Sequence, residues 1–161
     1  MLTQRKLQDL FDYRNGNLYR RTTVSNTGRI GDKAGCTKDK GYIYVGIDNK
    51  EYLLHRLIFL HQKGYLPNSI DHRDTDKTNN NIDNLRECTL SQNKMNTPTQ
   101  PNNKSGTRGV HFCNRSKTWV AKIKIEGKTK HILASKNKQE AIDARRVAEK
   151  IHFGDFLYNG K

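Results

Sequence analysis

Short runs of apolar and polar residues follow one another over the first fifty positions, which predicts strands and turns in this part of the chain. Residues 16–20 have the pattern of one strand. Residues 41–47 predict a stronger one, because aromatic and β-branched residues dominate the run. The chain then turns into a partner strand at 52–54, so the two predict a hairpin. At 55–61 the apolar spacing becomes helical, and this helix is expected to end near Gly64.

A second pattern follows this helix. Residues 70–73 predict a strand, the Asn-rich stretch 74–81 predicts a loop, and 82–88 predict a second strand. Residues 89–92, Thr-Leu-Ser-Gln, have the form of a capping box, with Thr as the N-cap and Gln at the third helical position. This box predicts a short helix with Asn93 in its first turn.

The C-terminal third of the chain predicts three antiparallel strands and one helix. The first strand opens at 108–112. Residues 119–125 alternate at period two, so their apolar side chains face one way and their lysines the other. A tight turn at 126–128 leads into the third strand at 130–133. The apolar face of the middle strand consists of Trp119, Ala121, Ile123 and Ile125.

A helix is predicted after this sheet. Asn137 and Glu140 have the spacing of a second capping box, and the helix is expected to end by Gly154. Its apolar face is expected to cover one side of the sheet and to leave the other side basic and solvated. The residues expected on that apolar face are Ala141, Ala144, Ala148 and Ile151.

Composition and charge narrow the classes of partner. Only 33% of the 161 residues are apolar, so no single core can be large. The net charge is +14, which favours a polyanion. No apolar run approaches the length of a membrane span, and the N-terminus lacks the apolar core of a secretory signal. Three widely spaced cysteines without a CxxC pair predict reduced, partly buried thiols in a cytoplasmic protein.

The charge is unevenly distributed along the chain. Residues 1–99 carry 16 basic and 11 acidic side chains, a net charge of +5, whereas residues 100–161 carry 14 and 5, a net charge of +9. The change coincides with a polar stretch that contains Pro98 and Pro101. Because proline restricts the residue before it to extended conformations, residues 97–104 are expected to be a linker between two modules.

Asp71, His72 and Asn93 are the residues with candidate chemistry. A carboxylate oxygen from Asp71 and an amide oxygen from Asn93 suit a hard cation such as Mg²⁺ or Mn²⁺. A neutral His72 can accept a proton from water near pH 7. Adjacent residues of a strand face opposite sides, so both can serve one site only at a bulge or a strand end.

Asp71-His72, Asn84 and Asn93 resemble the HNH nuclease motif in its phage homing-endonuclease form. The resemblance spans roughly residues 1–96. It implies that His72 is the general base, that Asp71 and Asn93 bind the metal, and that Asn84 ties down the loop between the strands by hydrogen bonds to backbone. For His55 the alternatives are a packed or hydrogen-bonded position and a position near the DNA or the active site. For Arg56, Arg73 and Arg86 the alternatives are a phosphate contact and solvated surface.

Residues 105–161 resemble the plant ethylene-response-factor-type DNA-binding domain, through Arg108-Gly109-Val110, the 119–123 strand and Glu140-Ala141 with Ala144. The resemblance implies DNA contacts from Arg108, Trp119 and Lys124, and the basic face adds Lys122 and Lys130. His111 and Lys122 depart from that family's usual Arg and Glu. Trp119 is open between a DNA contact and a core position under the helix.

The predicted fold class is therefore α+β, with a ββα-metal module and an N-terminal β-rich region followed by a three-stranded sheet and its helix. The domains are expected at 1–96, with the core at about 69–96, and at 105–161. The predicted function is a divalent-metal-dependent endonuclease acting on double-stranded DNA, encoded by a phage and acting in the cytoplasm of a bacterial host. A noncatalytic sequence-specific DNA-binding regulator and an RNA-directed protein are the rivals. Nicking or double-strand cleavage, oligomeric state and target sequence stay open.

Overall fold

The computed structural model describes residues 2–23, 28–97, 99 and 101–158. These residues form a mixed fold of helices and small antiparallel sheets, as predicted. The chain divides into two compact units between Thr89 and Leu90. The elements of the first unit are α1 (Gln4–Leu10), β1 (Phe11–Arg14), β2 (Asn17–Arg20), β3 (Cys36–Thr37), β4 (Ile43–Ile47), β5 (Lys50–Leu53), α2 (Leu54–Lys63), β6 (Ile70–His72) and β7 (Leu85–Glu87). Those of the second are α3 (Leu90–Met95), β8 (Val110–Cys113), β9 (Thr118–Ile125), β10 (Lys128–Ser135) and α4 (Lys138–Phe153).

Helix α1 is absent from the sequence-based expectation, which has only strands and turns before residue 50. Seven residues are too few to show a clear helical period, and an isolated helix of this length is unstable in water. Tertiary contacts stabilise it instead. Leu7 is fully buried, and the side-chain amides of Gln4 and Gln8 both donate to the carbonyl oxygen of His61 at the end of α2.

The predicted hairpin formed by 41–47 and 52–54, and the helix that follows it, are confirmed as β4, β5 and α2. The predicted strand at 16–20 is β2, whose antiparallel partner β1 was not predicted, and β4 also pairs with β3. Asp48 and Asn49 both have positive φ, as a tight two-residue hairpin turn requires. Helix α2 ends at Gly64, which has a left-handed φ of 81° and donates its N–H to the Leu60 carbonyl.

The second strand of the Asn-rich hairpin is shorter than predicted. Residues 82–84 form a 3-10 turn, and the strand β7 that pairs with β6 starts only at Leu85. The prediction of a strand over 82–88 was therefore wrong at its start. Asn81 accepts a hydrogen bond from the backbone N–H of Asp83, so a polar side chain replaces the strand ladder there.

The core of the first unit lies where α1 and α2 meet the hairpins. Helix α2 contributes the largest share, because nearly its whole length is buried. Ile70 of β6 and Leu85 of β7 belong to the same cluster, so the strand pair is anchored to this core. The other fully or nearly fully buried members are Leu7, Phe11, Leu18, Ala34, Val45, Ile47, Leu54, Leu57, Ile58, Phe59 and Leu60.

The second unit contains the predicted three-stranded sheet, in the order β10-β9-β8, followed by the predicted helix α4. The short helix α3 precedes the sheet. The core of this unit is small and consists of Val110, Ala121, Ala141 and Ile142. Along β9 the predicted alternation holds for the exposed lysines, but Val120 on the lysine side is also buried.

The predicted buried face of α4 is only partly correct. Ala141 is fully buried, whereas Ile151 is 71% exposed and Ala144 and Ala148 are half-buried. The helix instead buries its face through Ile142, Arg145 and Phe153. The guanidinium of Arg145 lies over the Phe153 ring and thereby replaces an apolar residue at a core position.

The predicted linker at 97–104 belongs to the second unit, and its residues 98 and 100 lie outside the described part of the chain. Directly after it, Ser105 is buried and bonds to Asn103 and Thr107, which makes a compact turn. The domain boundaries at 96 and 105 stay a prediction from the sequence.

Among the described helices, none has the length and apolar composition that crossing a bilayer requires. The three cysteines form no disulfide bond, and Cys88 is buried. Cys36 is exposed, contrary to the expectation that all three are partly buried.

Candidate active site

Asp71 and His72 end strand β6, and both are buried, with 4% and 6% of their surface exposed. The strand pairs antiparallel with β7, which sets Asp71 opposite Arg86 and His72 opposite Leu85. Because consecutive strand residues alternate between faces, the two side chains start out in different directions. The strand ends directly after His72, as the sequence requires for the two to serve one site.

Asp71 is held by an ion pair. Its Oδ2 accepts hydrogen bonds from Nε and Nη2 of Arg86 at 2.8 and 2.6 Å. Arg86 is only 8% exposed, so the interpretation of Arg86 as solvated surface was wrong. The register of the strand pair is the reason, since directly opposed residues of an antiparallel pair lie on one face.

His72 is bonded to a residue of the Asn-rich loop. Its Nε2 lies 3.0 Å from the side-chain oxygen Oδ1 of Asn80. Asn80 is 2% exposed, and its Nδ2 donates to the carbonyl oxygen of Thr78 at 3.1 Å. The loop therefore supplies a buried, oriented partner for the imidazole, which sequence reasoning treated only as part of a turn.

A group of rings surrounds His72. The His55 ring lies edge-on to it, with the two centroids 5.1 Å apart, and Tyr42 contacts both rings. Burial, with smaller contributions from His72 and Arg56, lowers the pKa of His55 to about 3. His55 is therefore neutral near pH 7. Burial also raises the pKa of Tyr42, so the phenol keeps its proton.

The loop between β6 and β7 is tied by Asn84. Its Nδ2 donates to the Asp74 carboxylate and to the Asn79 carbonyl, at 2.9 and 2.8 Å. Its Oδ1 accepts from the backbone N–H of Asp74. Asp76 accepts from both the backbone and the hydroxyl of Thr78, which lowers the pKa of its carboxyl. The loop is thus closed by its own polar side chains.

The hairpin β1–β2 supports this loop from the other side. The Tyr13 hydroxyl accepts from the backbone N–H of Ile82 at 3.0 Å. Gly16 has a φ of 79°, and a Cβ built on it would lie 2.7 Å from the backbone nitrogen of Asn81. Only glycine permits this close approach of the two backbones. The position of Asn80 therefore depends on the N-terminal hairpin.

Residues 52–95 match the family model described as HNH endonuclease. The chain is also similar to Protein 3.8 of Escherichia phage T7, with 32% identity over 80 residues. The aligned part is 50% of this chain and 63% of that protein, so the chain covers less than two thirds of its relative. No solved structure matches the chain.

The HNH segment, residues 52–95, contains all four motif residues named from the sequence. Asp71, His72 and Asn84 lie in the first unit, whereas Asn93 is half-buried in α3 of the second. Among the described residues, no group of three or more His, Cys, Asp and Glu could hold a metal ion. A metal site with one carboxylate and one amide ligand contains only one residue of these four types, so it would not be found as such a group.

The three residues left open from the sequence differ in burial. His55 is 7% exposed and belongs to the ring cluster. Arg56, next to it in α2, is half-buried. Arg73 is exposed, and its backbone N–H donates to the Asn84 carbonyl. The structure therefore brings His55 into contact with His72.

The basic residues proposed for DNA binding are partly brought together. Arg108, Lys122 and Lys124 line one cavity of about 450 Å³ in the second unit. Lys94 and the buried Arg145 line it as well, and sequence reasoning singled out neither. None of the described lining residues is acidic. The cavity therefore collects positive charge, although Arg145 also pairs with Glu149 at 2.9 Å.

Lys130 and Trp119 lie elsewhere. Lys130 is opposite Ile123 in the sheet register, so it extends from the face that carries buried Ile123, whereas Lys122 extends from the other. Trp119 packs against the core under α4, with its ring 5.3 Å from that of Phe112. The ammonium of Lys138 lies over the same ring. This placement favours the core interpretation of Trp119.

Proposed function

We propose that the protein is a metal-dependent endonuclease that hydrolyses phosphodiester bonds of double-stranded DNA, with His72 as the general base. The observation that carries the proposal is the pair Asp71-His72 at the end of β6, buried and held by Arg86 and Asn80 within the HNH segment. Burying such groups costs folding free energy, and sites of chemistry are where that cost is commonly found.

In the proposed step, His72 accepts a proton from a water molecule while the water oxygen forms a bond to phosphorus. The bond between phosphorus and the 3′-oxygen breaks, and the leaving oxygen takes a proton from solvent. The products are a 5′-phosphate and a 3′-hydroxyl. His55 stays neutral beside His72, so it adds no charge that would oppose formation of the imidazolium.

The donor atoms fit a hard divalent cation. A carboxylate has about four acceptor positions, and both Arg86 bonds go to the same oxygen of Asp71. In the first unit Asp71 would hold the ion, with water and substrate phosphate as further ligands, as is usual for Mg²⁺. Asn93 is the second protein ligand that the resemblance to the motif implies. Such an ion would neutralise negative charge on the phosphate and on the leaving oxygen.

The second unit is proposed to bind duplex DNA and thereby to raise its concentration at the nuclease module. The cavity lined by Arg108, Lys122, Lys124 and Lys94 supports this, because clustered cations gain affinity by releasing counterions from phosphates. Exposed lysines favour backbone affinity over reading of base edges.

The proposal is tested by cleavage of supercoiled plasmid with Mg²⁺ or Mn²⁺. His72→Ala is expected to lower the rate by ~10²-fold or more, the usual scale for loss of a general base. EDTA should abolish cleavage. His152→Ala, the same change at an exposed histidine of α4, is the matched control and should keep the wild-type rate. A wild-type rate for His72→Ala would refute the assignment of the base.

A noncatalytic DNA-binding regulator is the second candidate, because the basic cavity would serve it equally well. The same assay separates the two. Duplex binding that weakens with salt, together with no nicking in either metal, would support the regulator and contradict the nuclease.

A further inference from the structure

We propose that Asn80 is a positioning residue that holds His72 in the tautomer with its proton on Nε2, so that Nδ1 is the nitrogen that accepts the proton from water. The inference rests on the proposed role of His72 as general base. It adds a residue outside the four motif positions, and it assigns different tasks to the two ring nitrogens.

The orientation of the Asn80 amide follows from its second partner. Nδ2 lies 3.1 Å from the Thr78 carbonyl, which can only accept a hydrogen bond. Turning the amide over would set two oxygens against each other. Oδ1 therefore faces Nε2 of His72, at 3.0 Å. Since Oδ1 can only accept, Nε2 is the donor and carries the hydrogen.

The loop leaves Asn80 little freedom to move. Its backbone N–H also donates to the Thr78 carbonyl at 3.1 Å, and its neighbour Asn79 donates to Asp74. The Gly16 backbone lies against the peptide between Asn80 and Asn81. At 2% exposure, Asn80 is held on all sides, so its amide is a fixed reference for the imidazole.

His61, in the same unit, is a second buried histidine with a partner for each ring nitrogen. His61 is equally buried, and its Nε2 lies 3.1 Å from the Phe11 carbonyl. Its Nδ1 lies 2.7 Å from the side-chain amide of Gln62, so both of its nitrogens are used inside the fold. His61 therefore serves as a built-in reference for a histidine whose Nε2 donates to a carbonyl oxygen.

The first experiment measures the tautomer in the intact, ¹⁵N-labelled chain above the titration range of exposed histidines. His72 should show a pyrrole-type Nε2, a pyridine-type Nδ1 and a slowly exchanging Hε2 proton, as His61 should. Spectra of His72→Gln and His61→Gln assign the two rings. A proton on Nδ1 of His72, or a rapidly averaged mixture of tautomers, would overturn the inference, even if no variant of Asn80 folded.

The second experiment compares Asn80→Leu with Asn80→Asp in steady-state cleavage, with DNA affinity measured separately. Leu has a similar size but no acceptor, so kcat should fall about 10-fold or more while KM and DNA affinity stay unchanged. Asp presents one oxygen to Nε2 and sets the other against the Thr78 carbonyl, so it should restore the Hε2 signal but only part of kcat. Equal losses of kcat in the two variants, although Asp restores the Hε2 signal, would mean that Asn80 only supports the loop, and would contradict a positioning role.

The two proposals fail in different ways. A protein that shows the fixed Nε2–H tautomer but never cleaves DNA would leave the Asn80 contact supported and sink the nuclease assignment. A protein that cleaves with His72 as its base, but at the wild-type rate in Asn80→Leu, would sink only the inference about Asn80.

Discussion

In the first unit the polar residues of interest are buried and bonded to one another, whereas in the second they lie mostly in solvent around a cavity. Asp71 and His72 are nearly inaccessible and each has a defined side-chain partner. Lys122 and Lys124 are exposed, as is Arg108. Buried pairs fix geometry, which affects a rate, whereas exposed charges change position easily and mainly affect affinity.

The cores differ in the same direction. The first unit has a large apolar cluster built around α2, while the second has a small one and uses a buried arginine, Arg145, within it. A buried polar network needs a rigid apolar surround to keep its geometry. The unit with the larger core is therefore the one suited to hold Asp71, His72 and Asn80 in place.

The largest effect that tests this comparison is expected from Arg86→Ala. It leaves the carboxylate of Asp71 buried without its charged partner, which should lower the free energy of unfolding by about 3–5 kcal/mol. Urea denaturation followed by circular dichroism measures this. Arg73→Ala, an exposed arginine of the same hairpin, is the control and should cost about 0.5 kcal/mol or less.

A double change sharpens the same test. Replacing both partners by apolar residues, Asp71→Leu with Arg86→Met, should recover most of the stability that Arg86→Ala loses, because no charge is left buried alone. If Arg86→Ala and Arg73→Ala cost the same, the buried ion pair does not stabilise the first unit.

His55 gives the next largest effect. Its pKa is about 3 in the folded protein and near 6.5 when unfolded, so the unfolded chain binds more protons between these values. Stability is therefore lost as pH falls from about 6.5 towards 3. Between pH 7 and pH 5 the wild type should lose about 2 kcal/mol more than His55→Phe.

The rings of Tyr42 and His72 contact His55, and the charge of Arg56 contributes to lowering its pKa. All three residues are retained in His55→Phe, so the difference between the two stability profiles reports on His55. Parallel pH profiles of stability for the wild type and His55→Phe would show that His55 takes up a proton as easily in the folded state as in the unfolded one.

An effect of similar size is expected where the β1–β2 hairpin touches the loop between β6 and β7. Gly16→Ala brings a Cβ to 2.7 Å from the Asn81 backbone nitrogen. Gly41→Ala is the matched control, because Gly41 has nearly the same φ and nothing lies within 4 Å of its Cβ position. The control should cost about 1–2 kcal/mol for the left-handed backbone alone, and Gly16→Ala about 1–3 kcal/mol more.

The readout of Gly16→Ala at the site is the Hε2 signal of His72, which should weaken if the hairpin positions Asn80. In Gly41→Ala that signal should persist. Equal stability losses and an unchanged signal in both variants would mean that the loop keeps its shape without the N-terminal hairpin.

The sequence predicted elements that depend on local pattern. The β4–β5 hairpin, α2 with its end at Gly64, and the sheet of the second unit follow from periodicity and turn residues. Helix α1 could not be predicted, because its stability comes from contacts with the end of α2, far along the chain. The start of β7 was predicted wrongly for a related reason. Side-chain hydrogen bonds of Asn81 and Asn84 replace the backbone hydrogen bonds between strands there.

At the site, spacing alone could name Asp71 and His72 but not what holds them. Arg86 becomes visible as a partner only when the register sets it opposite Asp71. Asn80 is one of three consecutive asparagines, and only the fold shows which of them meets the imidazole. In the second unit the alternation of β9 predicted the lysine face correctly, but Lys130 follows the register of β10 to the other face.

The smallest effect, and the one that most directly tests the second unit, is the salt dependence of DNA binding. Lys124→Gln should reduce the slope of log K against log salt by about 1, because one phosphate contact is lost. Lys130→Gln removes the same charge from the next strand on the opposite face and should leave the slope unchanged. Both lysine changes are made in the His72→Ala protein, so that the DNA is not cleaved. Electrophoretic or fluorescence titrations with a short duplex then measure the two salt slopes. Equal losses in the two variants would mean that binding depends on overall charge, and that the cavity beside Lys124 has no special role.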